Sequence, residues 1–223
     1  MNIKGLERLM EFKLPVMRNL YLFRELSEIP PEHMDIYQDE SQWSMRGFNY
    51  ERCKLSDHPH LVNEIRNIHG FSKGELEGVF EEVKNGLDNQ CVPISSRKYF
   101  VCEVFKTKDV IFTGLSSRDS QNIYIDFFRG NRPSRKDWKP DARIRIPIIF
   151  GDKPTFSHAQ IISSDIHIYE DSIRKISEDM MILSEDACTD FCKMKDGYLF
   201  YHDLCYVPQP IKAITPFSYN NCQ

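Results

Sequence analysis

The hydrophobic period of this chain changes near Lys98, and that change constrains the fold more than any other feature. Before it, apolar residues recur at helical spacing; after it, they alternate. Leu6, Leu9, Met10, Leu14, Met17, Leu20 and Phe23 predict helix over residues 1–28, with Pro15 starting a second helix or kinking the first. The stretch EIPPEHMDIYQDESQWSMRGFNYERCKLS keeps no period and reads as an irregular connection with room for a short extended piece. Its length makes it a place for function or mobility. Next, Asp57 can cap a helix carrying Leu61, Ile65 and Ile68 that ends at Gly70. Ser72 and Glu75 form a capping box for another, with Leu76, Val79, Phe80, Val83 and Leu87 on one face.

From Lys98 onward, KYFVCEVFK, DVIFTG, NIYIDFF, RIRIPIIF and TFSHAQIIS read as short antiparallel strands separated by polar turns. A helical stripe through Ile173, Ile176, Met180, Leu183, Ala187 and Phe191 predicts a long helix near 171–194, and DGYLFYHDLCYVP closes with a hairpin. Strands grouped between helical segments give an α+β fold: N-terminal helices, a central, mainly antiparallel sheet of about five strands, a long C-terminal helix and a closing hairpin. The expectation is a single domain over 1–223, its helical part at about 1–90 and its sheet-rich part at about 95–223.

A hydrophobic content of 41% supports a packed core, and charges interrupt every apolar run near the start, so neither a signal-peptide core nor a spanning segment is visible. Seven cysteines without a C-x-x-C pair read as free thiols of a cytoplasmic protein. Cys188 and Cys192, four apart on the predicted helix, read as packing residues, since nothing nearby completes a metal site.

Against a net charge of −4, the segment RGNRPSRKDWKPDARIR from Arg129 to Arg145 carries seven Lys or Arg and two Asp. Ile144, Ile146 and Ile148 alternate with Arg143, Arg145 and Pro147, so both arginines project from the face opposite the core, and Pro147 indicates an edge or a bulge. Charge and Pro on an edge protect against aggregation. The competing reading takes Arg129, Arg132, Arg135, Lys136, Arg143 and Arg145, with Trp138 for stacking, as a surface that holds an anionic partner, an acidic protein surface or a phosphate group. The reading adopted is an interaction protein of that kind. Nucleic acid is less favoured, because the whole chain is acidic and the hairpin of helices before residue 90 exposes Glu75, Glu77, Glu81 and Glu82 against Lys73 and Lys84.

For chemistry, His158, Asp165, His167 and Glu170, with His202 and Asp203 later, suggest a metal cluster, yet alternation splits them between faces and no metal is assigned. No nucleophile elbow, dinucleotide fingerprint or phosphate-loop motif occurs. Arg24 after an apolar run, Ser116 and Ser117 at a strand end, and Glu170 downstream form an order that resembles ADP-ribosyltransferases. The resemblance implies NAD as a cofactor held by Arg24, a site braced by Ser116 and an oxocarbenium-like transition state stabilised by Glu170. It departs from the family at Ile168, where Glu or Gln is usual. Apart from that resemblance, the sequence names no cofactor, biological ligand or oligomeric state.

Overall fold

A computed structural model describes residues 2–35, 42–55, 64–130, 140–149, 153–161 and 169–206. The chain is α+β, as expected, but its strands divide into two antiparallel sheets.

Helix α1 (Ile3–Glu11) is capped by Asn2, whose side chain accepts from the amides of Lys4 and Gly5. It buries Ile3, Leu6 and Leu9. The predicted helix over 1–28 stops there: Lys13 adopts φ 56°, and Pro15 follows. Tyr21–Phe23 forms strand β1 instead. A single turn, α2 (Pro31–Asp35), leads to β2 (Trp43–Asn49), inside the stretch read as irregular. Strand β3 (Glu64–Phe71) replaces the helix expected up to Gly70, whose proposed cap Asp57 lies outside the described residues. The capping box of Ser72 and Glu75 forms as expected, and α3 (Leu76–Asn89) buries Leu76, Val79, Phe80, Val83 and Leu87. Strand β4 (Arg97–Glu103) completes a sheet in the order β1-β4-β2-β3. One face of that sheet packs Met45, Tyr99 and Val101 with α3, and Phe48, Phe100 and Cys102 belong to the main core.

The larger sheet contains β5 (Val110–Arg118), β6 (Asn122–Arg129), β7 (Ala142–Ile149), β8 (Lys153–Pro154) and β9 (Gln160–Ile161). Helix α4 (Glu170–Ile182) follows, then β10 (Ala187–Met194) and β11 (Leu199–Tyr206), in the order β11-β10-β5-β6-β7-β8 with β9 on β7. The long helix expected to reach residue 194 ends at Ile182, because Arg118 Nη1 donates to the carbonyls of Met181 and Leu183 and the chain turns back through Asp186 at φ 68°. Cys188 and Cys192 therefore sit on a strand, where burial pushes the Cys192 thiol up to about 12.

Helix α4 covers one face of the large sheet. Phe112, Phe127 and Phe191 meet Tyr169 or one another at ring separations from 4.8 to 6.2 Å. Gly114 makes that packing possible: a Cβ there would lie 2.2 Å from Phe191 Cζ and 2.3 Å from the Asp126 carbonyl oxygen. The described cysteines are all free, and among the described residues no helix is long and apolar enough to cross a membrane.

Candidate functional site

The face of the large sheet away from α4 is polar at its centre. Residues directly opposite in neighbouring strands share a face. Asp203 stands opposite Asp190, Asp190 opposite Leu115, Leu115 opposite Asp126, and Asp126 opposite Arg143. One row across five strands thus carries three carboxylates, all buried: Asp203 at 2% exposure, Asp190 at 6% and Asp126 at 1%. Asp126 is committed to Arg143, whose Nε and Nη2 donate to its two oxygens at 3.0 and 3.3 Å. Asp203 accepts from the amide of Asn2 at 3.0 Å. Burial, and secondarily the neighbouring Asp190, raises the Asp203 carboxyl above its ordinary value. His202 occupies a bulge beside this row, with Nε2 3.6 Å from Asp190 Oδ2.

One pleat along the same face, about 7 Å from this row by strand geometry, the opposed pair Cys192 and Phe200 leads to a cleft. The cleft has a volume of about 360 Å³ and lies where the chain crosses from β4 to β5. Val104, Phe105, Met194 and Phe200 supply apolar wall, and Glu103, Lys106 and Lys195 supply charge. The rings of Phe105 and Phe200 are 5.4 Å apart, so an aromatic edge from each side of the crossing meets here. A buried hydroxyl without a hydrogen-bond partner, Thr113 Oγ1, belongs to the same pleat as Phe200 and Cys192. Asp126, Asp190 and Asp203 are not among the residues that line the cleft itself.

The groove along α1, lined by Lys4, Glu7, Arg8 and Glu11 with Tyr50 and Tyr206, is different in kind. Most of its charges are held: Arg8 pairs with Glu11 at 2.6 Å, Glu7 with Lys98 and with the Tyr50 hydroxyl, which donates at 2.8 Å, and Lys4 lies 4.8 Å from the centre of the Tyr50 ring. Desolvation, reinforced by Glu7, pushes the Tyr50 phenol up to about 12.

The sites expected from sequence fare unevenly. Arg24 lies beyond β1, its Nη1 donating to the Ser95 carbonyl at 2.6 Å. Ser116 is buried between β10 and α4, its hydroxyl 2.6 Å from Thr189 Oγ1 and 3.2 Å from Met180 Sδ. Glu170 is exposed at the start of α4, ten residues before Met180 and hence about 15 Å along the helix axis. The three are not gathered, and the ADP-ribosyltransferase reading is corrected on that ground. Arg143 and Arg145 do project from the face expected, but Arg143 is the structural partner of Asp126 and is no open anion holder. Arg129 is exposed at the end of β6, where Asp141 Oδ2 accepts from its amide at 2.6 Å. Arg132, Arg135, Lys136 and Trp138 lie outside the described residues, as do Asp165 and His167. His158 is exposed on a short turn with Nδ1 3.1 Å from Ser157 Oγ, and no group of three or more metal-binding side chains occurs among the described residues.

Sequence reasoning missed Asp190, Asp126 and the cleft. The available signal was the Asp in TDF and in HDL on two strands joined by a tight turn, hidden because 187–194 was read as helix.

No family model and no curated protein matches this chain. Among solved structures it is similar in fold to ATP-grasp ligases. A D-alanyl-alanine synthetase A from Vibrio cholerae matches at TM-score 0.46 and 10% identity over 98% of this chain and 57% of that one. An N5-carboxyaminoimidazole synthetase from Staphylococcus aureus complexed with ADP matches at TM-score 0.45 and 12% identity over 93% of this chain and 44% of that one. The ATP-grasp ligase PsnB, complexed with minimal precursor, matches at TM-score 0.41 and 12% identity over 90% and 50%. The chain thus spans about half the length of these proteins. The likeness is one of fold alone. The placements of Arg143, Ser116 and Glu170 are what overturn the anion-holding interaction protein and the ADP-ribosyltransferase expected from sequence.

Proposed function

We propose that this chain binds an ATP-type nucleotide with a divalent cation and uses it in a ligase-type reaction. The observation that carries the reading is the juxtaposition of the cleft walled by Phe105, Phe200 and Met194 with Asp190 and Asp203 one pleat away on the same face. The base would occupy the cleft, and Asp190 and Asp203 would hold the cation, which would offset the charge of the phosphates. Asp126 does not join them, because Arg143 neutralises it. Of the proteins of similar fold, one is named an ATP-grasp ligase and one is complexed with ADP, but the reading rests on the cleft and the carboxylates. Free thiols at all six described cysteines support a reducing, cytoplasmic setting.

Thermal unfolding with ATP, ADP and GMP, each with and without Mg²⁺, tests this. A nucleotide at a hundred times its dissociation constant adds about 2.7 kcal/mol of stability. The expected result is a stabilisation by ATP or ADP that grows with Mg²⁺, and loss of the Mg²⁺-dependent part in both D190N and D203N. Equal responses of both variants and the parent chain to Mg²⁺ would remove the carboxylates from the site, and no response to any nucleotide would remove the reading.

A further inference from the structure

One side chain links two parts of the cleft wall that come from different sheets. Among the described residues no strand of one sheet pairs with a strand of the other, so the crossing at residues 104–109 and the segment at 14–18 connect them. Residues 14–18 lie between Lys13 at φ 56° and Asn19 at φ 52°, two left-handed positions at which the chain changes direction. The segment is tied to both sides. Toward the large sheet, the Pro15 carbonyl accepts from the Tyr201 amide at 2.8 Å and the Val16 carbonyl from the Tyr198 hydroxyl at 2.7 Å. Toward the small sheet, the Arg18 carbonyl accepts from the Glu103 amide at 3.2 Å, and Asn19 Nδ2 donates to Glu103 Oε2 at 3.2 Å.

Arg18 reaches from the small-sheet side of the cleft to the large-sheet side. Its backbone is fixed to β4, yet its guanidinium pairs with Asp196 in the β10–β11 turn and lies 4.8 Å from the centre of the Tyr198 ring. Arg18, Asp196 and Tyr198 all line the cleft. We propose that Arg18 is a latch on this cleft, setting how fast a nucleotide enters and leaves. The proposal rests on the nucleotide reading above and adds to it the control of access. The pair suits the task because it is weak. Arg18 and Asp196 are 47% and 49% exposed, so water and salt compete with the contact and it opens readily. A fixed backbone on one side and a hairpin turn on the other mean that releasing one ion pair and one ring contact frees the two sides of the cleft.

A latch and a ligand contact differ in kinetics. Opening the cleft speeds entry and exit together, whereas removing a contact to the bound ligand speeds exit alone. Stopped-flow binding of N-methylanthraniloyl-ADP with Mg²⁺ to R18Q and to D196N should show both rate constants raised by about three- to tenfold, the scale of an exposed ion pair with a cation–π contact. The dissociation constant should move less than either rate, and the charge-swapped double variant R18D/D196R should return both rates to within about twofold. Amide exchange supplies a reading without ligand: the amides of Glu103 and of Lys195, which donates to the Asp109 carbonyl beside the cleft, should exchange faster in R18Q. Faster dissociation with unchanged association would overturn the latch and make Arg18 a ligand contact. Unchanged rates and unchanged exchange would overturn it outright. If the parent chain does not bind the probe, the nucleotide reading fails, and the exchange of R18Q alone decides the latch.

Discussion

Replacing Arg143 by Gln separates the folded structure from the sequence pattern most sharply. Read as a solvated strand residue, Arg143 would be dispensable, and its loss would cost within about 0.5 kcal/mol. In the structure it is a bidentate partner of Asp126, with side-chain exposures of 14% and 1%. Asp126 lies on β6, flanked by β5 and β7 in the polar row, where its charge is poorly solvated. Truncating one partner of a buried pair costs about 3 to 5 kcal/mol, because the remaining charge keeps its desolvation penalty and loses its compensation. Arg143 retains some contact with water, so about 3 kcal/mol is the fitting value, equivalent to a fall in Tm of about 6 to 12 °C for a chain of this size. Urea unfolding followed by far-UV circular dichroism measures the difference. The double variant D126N/R143Q removes both charges and should recover at least half of the loss. A single variant within about 0.5 kcal/mol of the parent chain would refute the reasoning, as would a double variant no better than the single one.

Two further outcomes follow from buried groups. The raised Asp203 carboxyl binds its proton more tightly in the folded than in the unfolded chain, so the stability it contributes is present at low pH and is lost as pH rises from the ordinary carboxylate value through the raised one. D203N should therefore unfold at a higher temperature than the parent chain at pH 7 without ligand, with the gap closing below about pH 4; a gap that widens on acidification would reverse the assignment. Gly114→Ala places a methyl group 2.2 Å from Phe191 Cζ and 2.3 Å from a backbone oxygen, and should cost 3 kcal/mol or more, at about the upper end of overpacking penalties, read as a fall in urea midpoint. A midpoint unchanged by that substitution would mean that Phe191 packs elsewhere.

Patterns that repeat over a few residues are legible in the amino-acid sequence itself. The capping box at Ser72 and Glu75, the apolar face of α3, the alternating runs of β4 to β7 and the first three turns of α4 all follow from local chemistry, because a helix face or a strand pleat is specified by neighbours within a turn or two. Where the apolar spacing fits both periods, local pattern cannot arbitrate. Leu20 to Phe23, Ile65 to Ile68 and Ala187 to Phe191 all carry apolar residues three or four apart, and all three stretches overlap strands. Pairing decided them: β1 gained β4, β3 gained β2, and β10 sits between β5 and β11, where its ladder is satisfied on both sides. The same limit hid the site. That Arg143 and Arg145 leave the strand on the side opposite Ile144 and Ile146 is a property of the strand and could be read from the sequence. That Arg143 meets Asp126, and that Asp190 and Asp203 share a row next to Phe200, depends on the register of strands distant in sequence. Register is set by how whole strands bury their apolar sides and close their turns, so it belongs to the tertiary structure alone.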